Sequence, residues 1–372
     1  MAKKAAEKAE PKARTAGNSR PQKSYVDFGA ILDKTKHRMV PPEITNHLPT
    51  GITLLDAMLG NGFPGGRFIM VHGEENTFKS AWSYHQAAIA QQMGGAVWID
   101  DKEDKFNAEN ATINGLDYKH PLFYYTQTKN AEEYTEKLQS WLDLCRTQGT
   151  PGVHFYDSLG AISTKQQQES TTEHPMSIAK KMASWLSTAD LRGLSNTMAF
   201  PIWLNQQRAG IDFFSYGPPK PGLPGGKAAK YKVATRIKMS VQALSQNDKD
   251  KSVASPIGKL VKFTLEKSCT SPDSRWCFVP YFYHFGFDDG LSCLNYLIGM
   301  NYIKRGTQKA TKEDPGNYGK YGIEGVWHTK SEWRSIFYED PGARREIRAM
   351  TRQAYIADNS YKGGECDGDE EE

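Results

Sequence analysis

The chain has no uninterrupted apolar run of about 18 residues, the length that a membrane-spanning helix needs. Residues 1–23, MAKKAAEKAEPKARTAGNSRPQK, lack the apolar segment of a secretory signal, and Glu7 and Glu10 set them apart from acid-poor transit peptides. Cysteine is scarce. Cys145, Cys269, Cys277, Cys293 and Cys366 form no CxxC pair and no zinc-ligand spacing. There is no internal repeat. These absences predict a protein with no membrane span, no disulfide framework and no structural zinc, carrying free thiols in a reducing cytoplasm. Net charge is also small, +4, but it hides an uneven layout. The first segment is basic, whereas the last ten residues, GGECDGDEEE, are acidic, and both have the composition of disordered tails. They read either as solubilising ends or as a basic arm and an acidic tail that competes with nucleic acid for a basic surface.

Between the tails, residues 24–39 (SYVDFGAILDKTKHRM) mix apolar and charged residues at helical spacing, and PPEITNHLP then breaks the pattern. A helix that short is marginal alone, so residues 24–47 are expected to dock on a neighbouring subunit. From 48 to 288, strand-sized apolar runs (FIMVH, AVWID, LFYYT, GVHFYD, AFPIWLN) alternate with helix-sized stretches (AWSYHQAAIAQQM, AEEYTEKLQSWLDLCRTQG, SIAKKMASWLSTADLRGL). That alternation predicts an α/β fold, a mostly parallel sheet with helices on both faces. Three further runs, KYKVATRIKMSVQAL, KLVKFTLEKS and CFVPYFYHFGF, have no helix between them and are expected as antiparallel additions at one edge. Residues 289–360 read as a small helical C-terminal domain, and 361–372 as the acidic tail.

The stretch GEENTFKS, Gly73, Glu74, Glu75, Asn76, Thr77, Phe78, Lys79 and Ser80, nearly spells the phosphate loop G-x-x-x-x-G-K-[ST]. It lies between a strand and a helix, as such a loop must, so that backbone N–H groups and the helix N-terminus can wrap phosphates. Lys79 would bind the β/γ-phosphates of ATP, and the Ser80 hydroxyl would ligate Mg²⁺. Phe78 stands where glycine is usual. Right-handed backbone is expected there, so that glycine contributes room rather than a positive φ, and Phe78 can serve if its ring turns away. The strand GVHFYD ends in Asp157, placed to hold the Mg²⁺ water shell. Hydrolysis also needs a group to deprotonate water. AVWID runs into DKEDKFN, where Glu103 is the candidate and Asp101 and Asp104 compete with it.

Taken in order, these motifs resemble the RecA family of recombinases. TGITLLDAMLGNGFPGGRFIMVHGEENTFKS is similar to the start of that family's core, FYDSLGAIS to its Walker-B strand, WLNQQR to its asparagine-glutamine-x-arginine strand end, and LPGGKAAKYKVATRIKM to the segment after its second DNA loop. The phenylalanine-lysine-serine ending, LEKSCTSPDSRWCF and REIRAMTRQAYI resemble the UvsX-like phage branch. The resemblance spans about residues 48 to 355 and implies a RecA-type phosphate-loop core over 48–288. It also implies roles for single residues. Glu103 falls at the catalytic glutamate if one residue is inserted after Asp100, and without the insertion Lys102 stands there. Gln206 would sense the γ-phosphate, and Lys267 would reach ATP across a subunit interface. Asn107 joins the cofactor-binding set, and Asn110 takes the place of the family's adenine-stacking aromatic residue. The chain departs from bacterial members at Leu265, where they have a second lysine, and from the phage branch at Gln206, where that branch has histidine.

Two segments sit where the family keeps its DNA loops, 164–181 and 208–230. The second combines Arg208, Lys220, Lys227 and Lys230 with Ile211, Phe213, Phe214 and Tyr216, the cations and wedges that a single-strand binder needs. Gly225 and Gly226 would let backbone N–H groups approach phosphates, and the alternative is a lid with incidental charge. Met176 and Ile211 match the family's inserting positions, and Lys181 closes the first segment. The resemblance implies a DNA-dependent ATPase that forms a helical filament of itself on single-stranded DNA and exchanges strands with double-stranded DNA. A single-strand binding protein and a recombination mediator would be its partners, with no membrane involved. The competing expectations are a hexameric helicase on the same core and a DNA-binding filament protein that has lost turnover.

Overall fold

The structure is a computed structural model that describes residues 44–159, 197–207, 231–244, 257–311, 314, 316–323 and 325–359. All of them belong to one unit, Glu43–Glu372. The strands are β1 (His47–Leu48), β2 (Phe63–Pro64), β3 (Ile69–Gly73), β4 (Ala96–Asp101), β5 (Phe123–Thr126), β6 (Gly152–Asp157) and β7 (Ala199–Gln206). After them come β8 (Thr235–Ala243), β9 (Gly258–Lys267), β10 (Trp276–Phe282), β11 (Gly286–Phe287), β12 (Lys304–Arg305), β13 (Tyr321–Ile323) and β14 (Val326–His328). The helices are α1 (Thr53–Leu59), α2 (Lys79–Gln92), α3 (Ala108–Ile113), α4 (Ala131–Gln148), α5 (Asp289–Gly299), α6 (Lys330–Glu339) and α7 (Pro341–Asn359).

Nine strands form one sheet in the order β11-β10-β9-β8-β3-β7-β6-β4-β5. From β8 to β5 every neighbouring pair is parallel. From β8 through β9 and β10 to β11 the pairs are antiparallel. The first of the three late runs therefore corrects the expectation from sequence, because β8 joins β3 in parallel and the antiparallel part starts only at β9. The connection from Gln206 to Thr235 is long enough to return the chain to the starting end of the sheet, as a parallel neighbour requires.

The central parallel strands β3, β4, β6 and β7 are buried on both faces, and alternate residues separate two cores. Ile69 and Val71, Val97 and Ile99, Val153 and Phe155, and Ile202 and Leu204 meet Trp82, Tyr84 and Ala87 of α2 and the apolar residues of α1. Met70, Trp98, Tyr156 and Trp203 point the other way, onto Tyr134, Leu138, Trp141 and Cys145 of α4. Period-two alternation of this kind is what fixes strand register. Helix α4 has explicit ends. Asn130 Oδ1 accepts from Glu133 N–H, acidic residues fill the first turn, and Gly149 closes it at φ 64°.

A third cluster (Leu291, Leu294, Leu297, Ile303, Phe337, Ile347, Ala354) organises the C-terminal part. Asp289 ties it to the core, accepting from Thr53 N–H at 2.7 Å, Thr53 Oγ1 at 2.9 Å and Arg348 Nε at 3.0 Å. This part is not purely helical, since β12, β13 and β14 form a small antiparallel sheet. Strands of two or three residues are too short to show alternation in sequence. Cys145, Cys269, Cys277 and Cys293 carry free thiols. Among the described residues no helix is long and apolar enough to cross a membrane.

Candidate nucleotide-binding site

Strand β3 ends at Gly73, where a Cβ would stand 2.3 Å from the Met239 carbonyl oxygen of β8. Only glycine fits so close to that backbone. The chain then turns through Asn76 and Phe78, at φ 57° and 63°, and enters α2 at Lys79. The expected right-handed backbone at Phe78 is thus corrected: this residue adopts the left-handed conformation that glycine takes freely. Its ring does turn away from the loop, stacking on Tyr281 with centroids 4.3 Å apart and planes at 30°.

Lys79 is 8 % exposed. Its ammonium donates to the Gly73 and Glu74 carbonyl oxygens at 3.1 and 2.5 Å and to Thr77 Oγ1 at 3.2 Å. Burial draws its pKa below the ordinary lysine value, against the pull of Asp157, Glu103 and Glu75. Ser80 Oγ donates to Asp157 Oδ2 at 2.9 Å. Burial pushes the Asp157 carboxyl up to about 6, and the Ser80 hydrogen bond opposes the rise. The Asp157–Ser158 peptide bond is cis.

The loop after β4 sorts its charged residues by geometry. Asp101 accepts from the backbone N–H groups of Glu103, Lys105 and Phe106 at 3.1, 2.8 and 2.8 Å, and from the Tyr125 hydroxyl at 3.1 Å. It shapes the loop. Lys102 points away, donating to the Thr128 and Lys129 carbonyl oxygens at 2.6 and 2.9 Å. Asp104 accepts from Gln127 Nε2 at 2.7 Å. Glu103 alone of the three carboxylates faces the phosphate loop. Its Oε1 accepts from Ser158 Oγ at 2.5 Å, and its two oxygens accept from Gln206 Nε2 at 3.2 and 3.0 Å. Lys105 Nζ completes the set at 2.5 Å from Oε2. Burial raises the pKa of Glu103, but the hydrogen bonds from Lys105 and Ser158 and the charges of Lys105 and Lys79 outweigh it, so the carboxyl lies below its ordinary value.

Glu75 through Ala81, Glu103, Lys105, Asn110, Asp157, Gln206, Lys259 and Tyr283 line one cleft of about 520 Å³, large enough for a nucleotide. Gly73 and Glu74 contribute the carbonyl oxygens behind it. Asn107, expected in the cofactor-binding set, is not among the residues that line the cleft. Its Oδ1 caps α3 by accepting from Asn110 N–H at 2.8 Å, and Asn110 is the residue that reaches the cleft. Lys267 lies at the end of β9, donating to the Tyr231 and Val233 carbonyl oxygens at 3.2 and 2.6 Å. Lys105, Lys259 and Tyr283 were not anticipated. Lys259 opens an ordinary amphipathic strand, and only the antiparallel register of β9 brings it here. Among the described residues no group of three or more His, Cys, Asp or Glu is placed to hold a metal. The Ser80–Asp157 pair nevertheless suits Mg²⁺, which keeps several waters and takes few protein ligands. Met176, Lys181, Arg208, Ile211, Phe213, Gly225, Gly226, Lys227 and Lys230 lie outside the described residues, as do the segment 24–39 and the acidic tail.

Fold and cleft together define a phosphate-loop α/β core in which a second carboxylate faces the loop. The family model described as RecA N-terminal domain matches residues 23–287, and the chain belongs to the RecA family. It is 24 % identical to the Protein RecA of Lactobacillus johnsonii over 334 residues, 89 % of this chain and 86 % of that protein. It is 24 % identical to the Protein RecA of Campylobacter lari over 335 residues (89 % and 90 %) and 28 % identical to that of Ruminococcus albus over 292 residues (77 % and 68 %).

Proposed function

We propose that the chain is an ATP-dependent DNA recombinase of the UvsX-like phage branch. It assembles as a helical filament on single-stranded DNA, hydrolyses ATP and exchanges strands with homologous duplex. The observation that carries this reading is the convergence of Lys79, Ser80, Asp157, Glu103 and Gln206 on one cleft of a RecA-family fold. Lys79 binds the β/γ-phosphates, and Ser80 and Asp157 hold Mg²⁺, which supplies charge that neutralises the phosphate oxygens. Glu103 accepts the proton of the attacking water. Gln206 hydrogen-bonds that base, and the chain runs from it directly into residues 208–230, the candidate DNA loop. This adjacency supports a DNA-dependent turnover. Lys267 acts across the subunit interface, and Met176, Arg208, Ile211, Phe213, Lys227 and Lys230 contact DNA in the filament. A single-strand binding protein and a mediator act with it in the host cytoplasm.

The alternative of lost turnover rests on Phe78, on the register of Glu103 and on Leu265, where bacterial members have a second lysine. The Phe78 ring stacks on Tyr281 and Glu103 lines the cleft, which speaks against that alternative at two of the three positions, while Leu265, buried in β9, still favours it. The test is phosphate release by the purified chain with and without single-stranded DNA, paired with electron microscopy of the DNA-bound form. Stimulated turnover and filaments are expected. Rings in place of filaments would mean a helicase, and absence of turnover would mean a binding protein.

A further inference from the structure

Phe78 occupies the left-handed region (φ 63°, ψ 26°) at the residue that leads into α2. A Cβ crowds the following carbonyl in that conformation, so a non-glycine residue holds it only where its surroundings fix it. Those surroundings lie at the end of β10 and just beyond it. The Tyr281 ring is stacked on Phe78 at 4.3 Å, and Tyr283 adds a tilted contact at 6.1 Å. Tyr281 is itself held on its other sides. It is 3 % exposed, and Phe287 meets its ring edge-on at 4.9 Å. Its hydroxyl donates to Asn110 Oδ1 at 3.2 Å and accepts from Asn114 Nδ2 at 3.4 Å. Asn110 lines the cleft. One buried ring therefore links the turn of the phosphate loop, helix α3 and the antiparallel half of the sheet.

We propose that Tyr281 is a positioning residue for nucleotide binding: its stack on Phe78 holds the phosphate loop in the left-handed turn that glycine would take unaided. This rests on the reading of the cleft as the ATP site. The two rings form one device, so the value of Tyr281 depends on what stands at position 78. With phenylalanine there, the stack opposes the backbone's tendency to leave the turn. With glycine there, the turn needs no such support.

ATP binding with Mg²⁺, measured by calorimetry, and the steady-state KM and kcat test this. Tyr281→Leu should raise Kd and KM roughly three- to tenfold, the range for losing an aromatic pair, with kcat at saturation within about twofold of wild type. Tyr281→Phe keeps the ring and should restore most of the affinity. In a Phe78→Gly chain, Tyr281→Leu should add less than about twofold, which is the coupling that a double-mutant cycle reads. Phe78→Leu removes the stack from its half-buried side without opening the core, and should weaken ATP as Tyr281→Leu does. It keeps the test decisive if Tyr281→Leu fails to fold. Equal losses from Tyr281→Leu in both backgrounds, or unchanged ATP affinity in the Phe78→Leu chain, overturn the proposal. Lys79→Ala is the control for the site itself. If that chain binds ATP normally, the cleft is not the phosphate site. If it does not bind ATP while loss of the stack has no effect, only the role of Tyr281 falls.

Discussion

Replacing Glu103 with glutamine tests the chemistry most directly. The carboxylate accepts from Ser158, from Gln206 through both oxygens, and from Lys105. A glutamine amide keeps one acceptor oxygen and presents an NH₂ group in place of the other. If the oxygen stays on Ser158, the NH₂ group faces the Lys105 ammonium and the Gln206 amide, both donors. One hydrogen bond to a charged group is lost there, about 1.5–3 kcal/mol in the usual range, and some of it returns because exposed Lys105 can move to solvent. Folding should therefore suffer little. Turnover should fall at least about a hundredfold, or about 2.7 kcal/mol in barrier, because the amide cannot take the water proton. ATP affinity should stay near wild type, since Lys79 and Ser80 are untouched. Phosphate release at saturating ATP and single-stranded DNA, with binding measured separately, reads both quantities. The reasoning fails if Glu103→Gln turns over normally. It fails more informatively if Asp104→Asn abolishes turnover instead, because Asp104 spends its carboxylate on Gln127.

Lys79→Ala should abolish ATP hydrolysis by removing the buried cation of the phosphate loop, while DNA binding persists in part; filter binding and phosphate release separate the two. Asn107→Ala should cost about 0.5–2 kcal/mol of stability, the usual value of an N-cap, with kcat at saturating ATP unchanged, as denaturant melts and turnover together would reveal. Burial of the His154 imidazole pushes its pKa down to about 3, against about 6.5 in an unfolded chain. The unfolded state then binds more protons between those values, so this histidine's contribution is intact above pH 6.5 and is lost as pH falls below it, by up to ~1.4 kcal/mol per pH unit. Asp56 and Asp157, both raised to about 6, act in the opposite direction over part of that range. The readout is therefore the stability difference between wild type and His154→Gln, which should change steadily from pH 6.5 to 5 and stay flat above 7.

Much of the site could be read in the sequence because it sits where parallel strands end. Gly73, Asp157 and Gln206 each terminate an apolar run, and a parallel sheet brings such ends to one side. Glu103 was legible as the candidate among three carboxylates, and the resemblance placed it only with one residue inserted after Asp100. Its selection depends on Asp101 being consumed by three backbone N–H groups, a fact of loop geometry that no spacing encodes. Lys259 and Tyr283 arrive through β9 and β10, whose register across the sheet is a non-local property. Phe78 was misread for a related reason. A residue entering a helix ordinarily adopts right-handed backbone, but here the demand of the loop prevailed, and the side chain that stabilises it is Tyr281, about two hundred positions away in the chain.

The cleft is also instructive in how its groups are held. Lys79 rests on two carbonyl oxygens and Thr77, Ser80 on Asp157, and Glu103 on Ser158, Gln206 and Lys105. Each group that would meet nucleotide or water already has a protein partner, so its direction is set beforehand and little reorganisation remains. Such a site binds by exchanging hydrogen bonds rather than by adding them. The partners differ in how easily they yield. Ser158 is buried, and Gln206 is fixed at the end of a central strand. Lys105 is 62 % exposed on a flexible stem, and the triphosphate would compete for it within the same cleft. The partner of Glu103 most easily displaced is therefore the exposed Lys105, whereas Ser158 and Gln206 hold the carboxylate from the ends of β6 and β7.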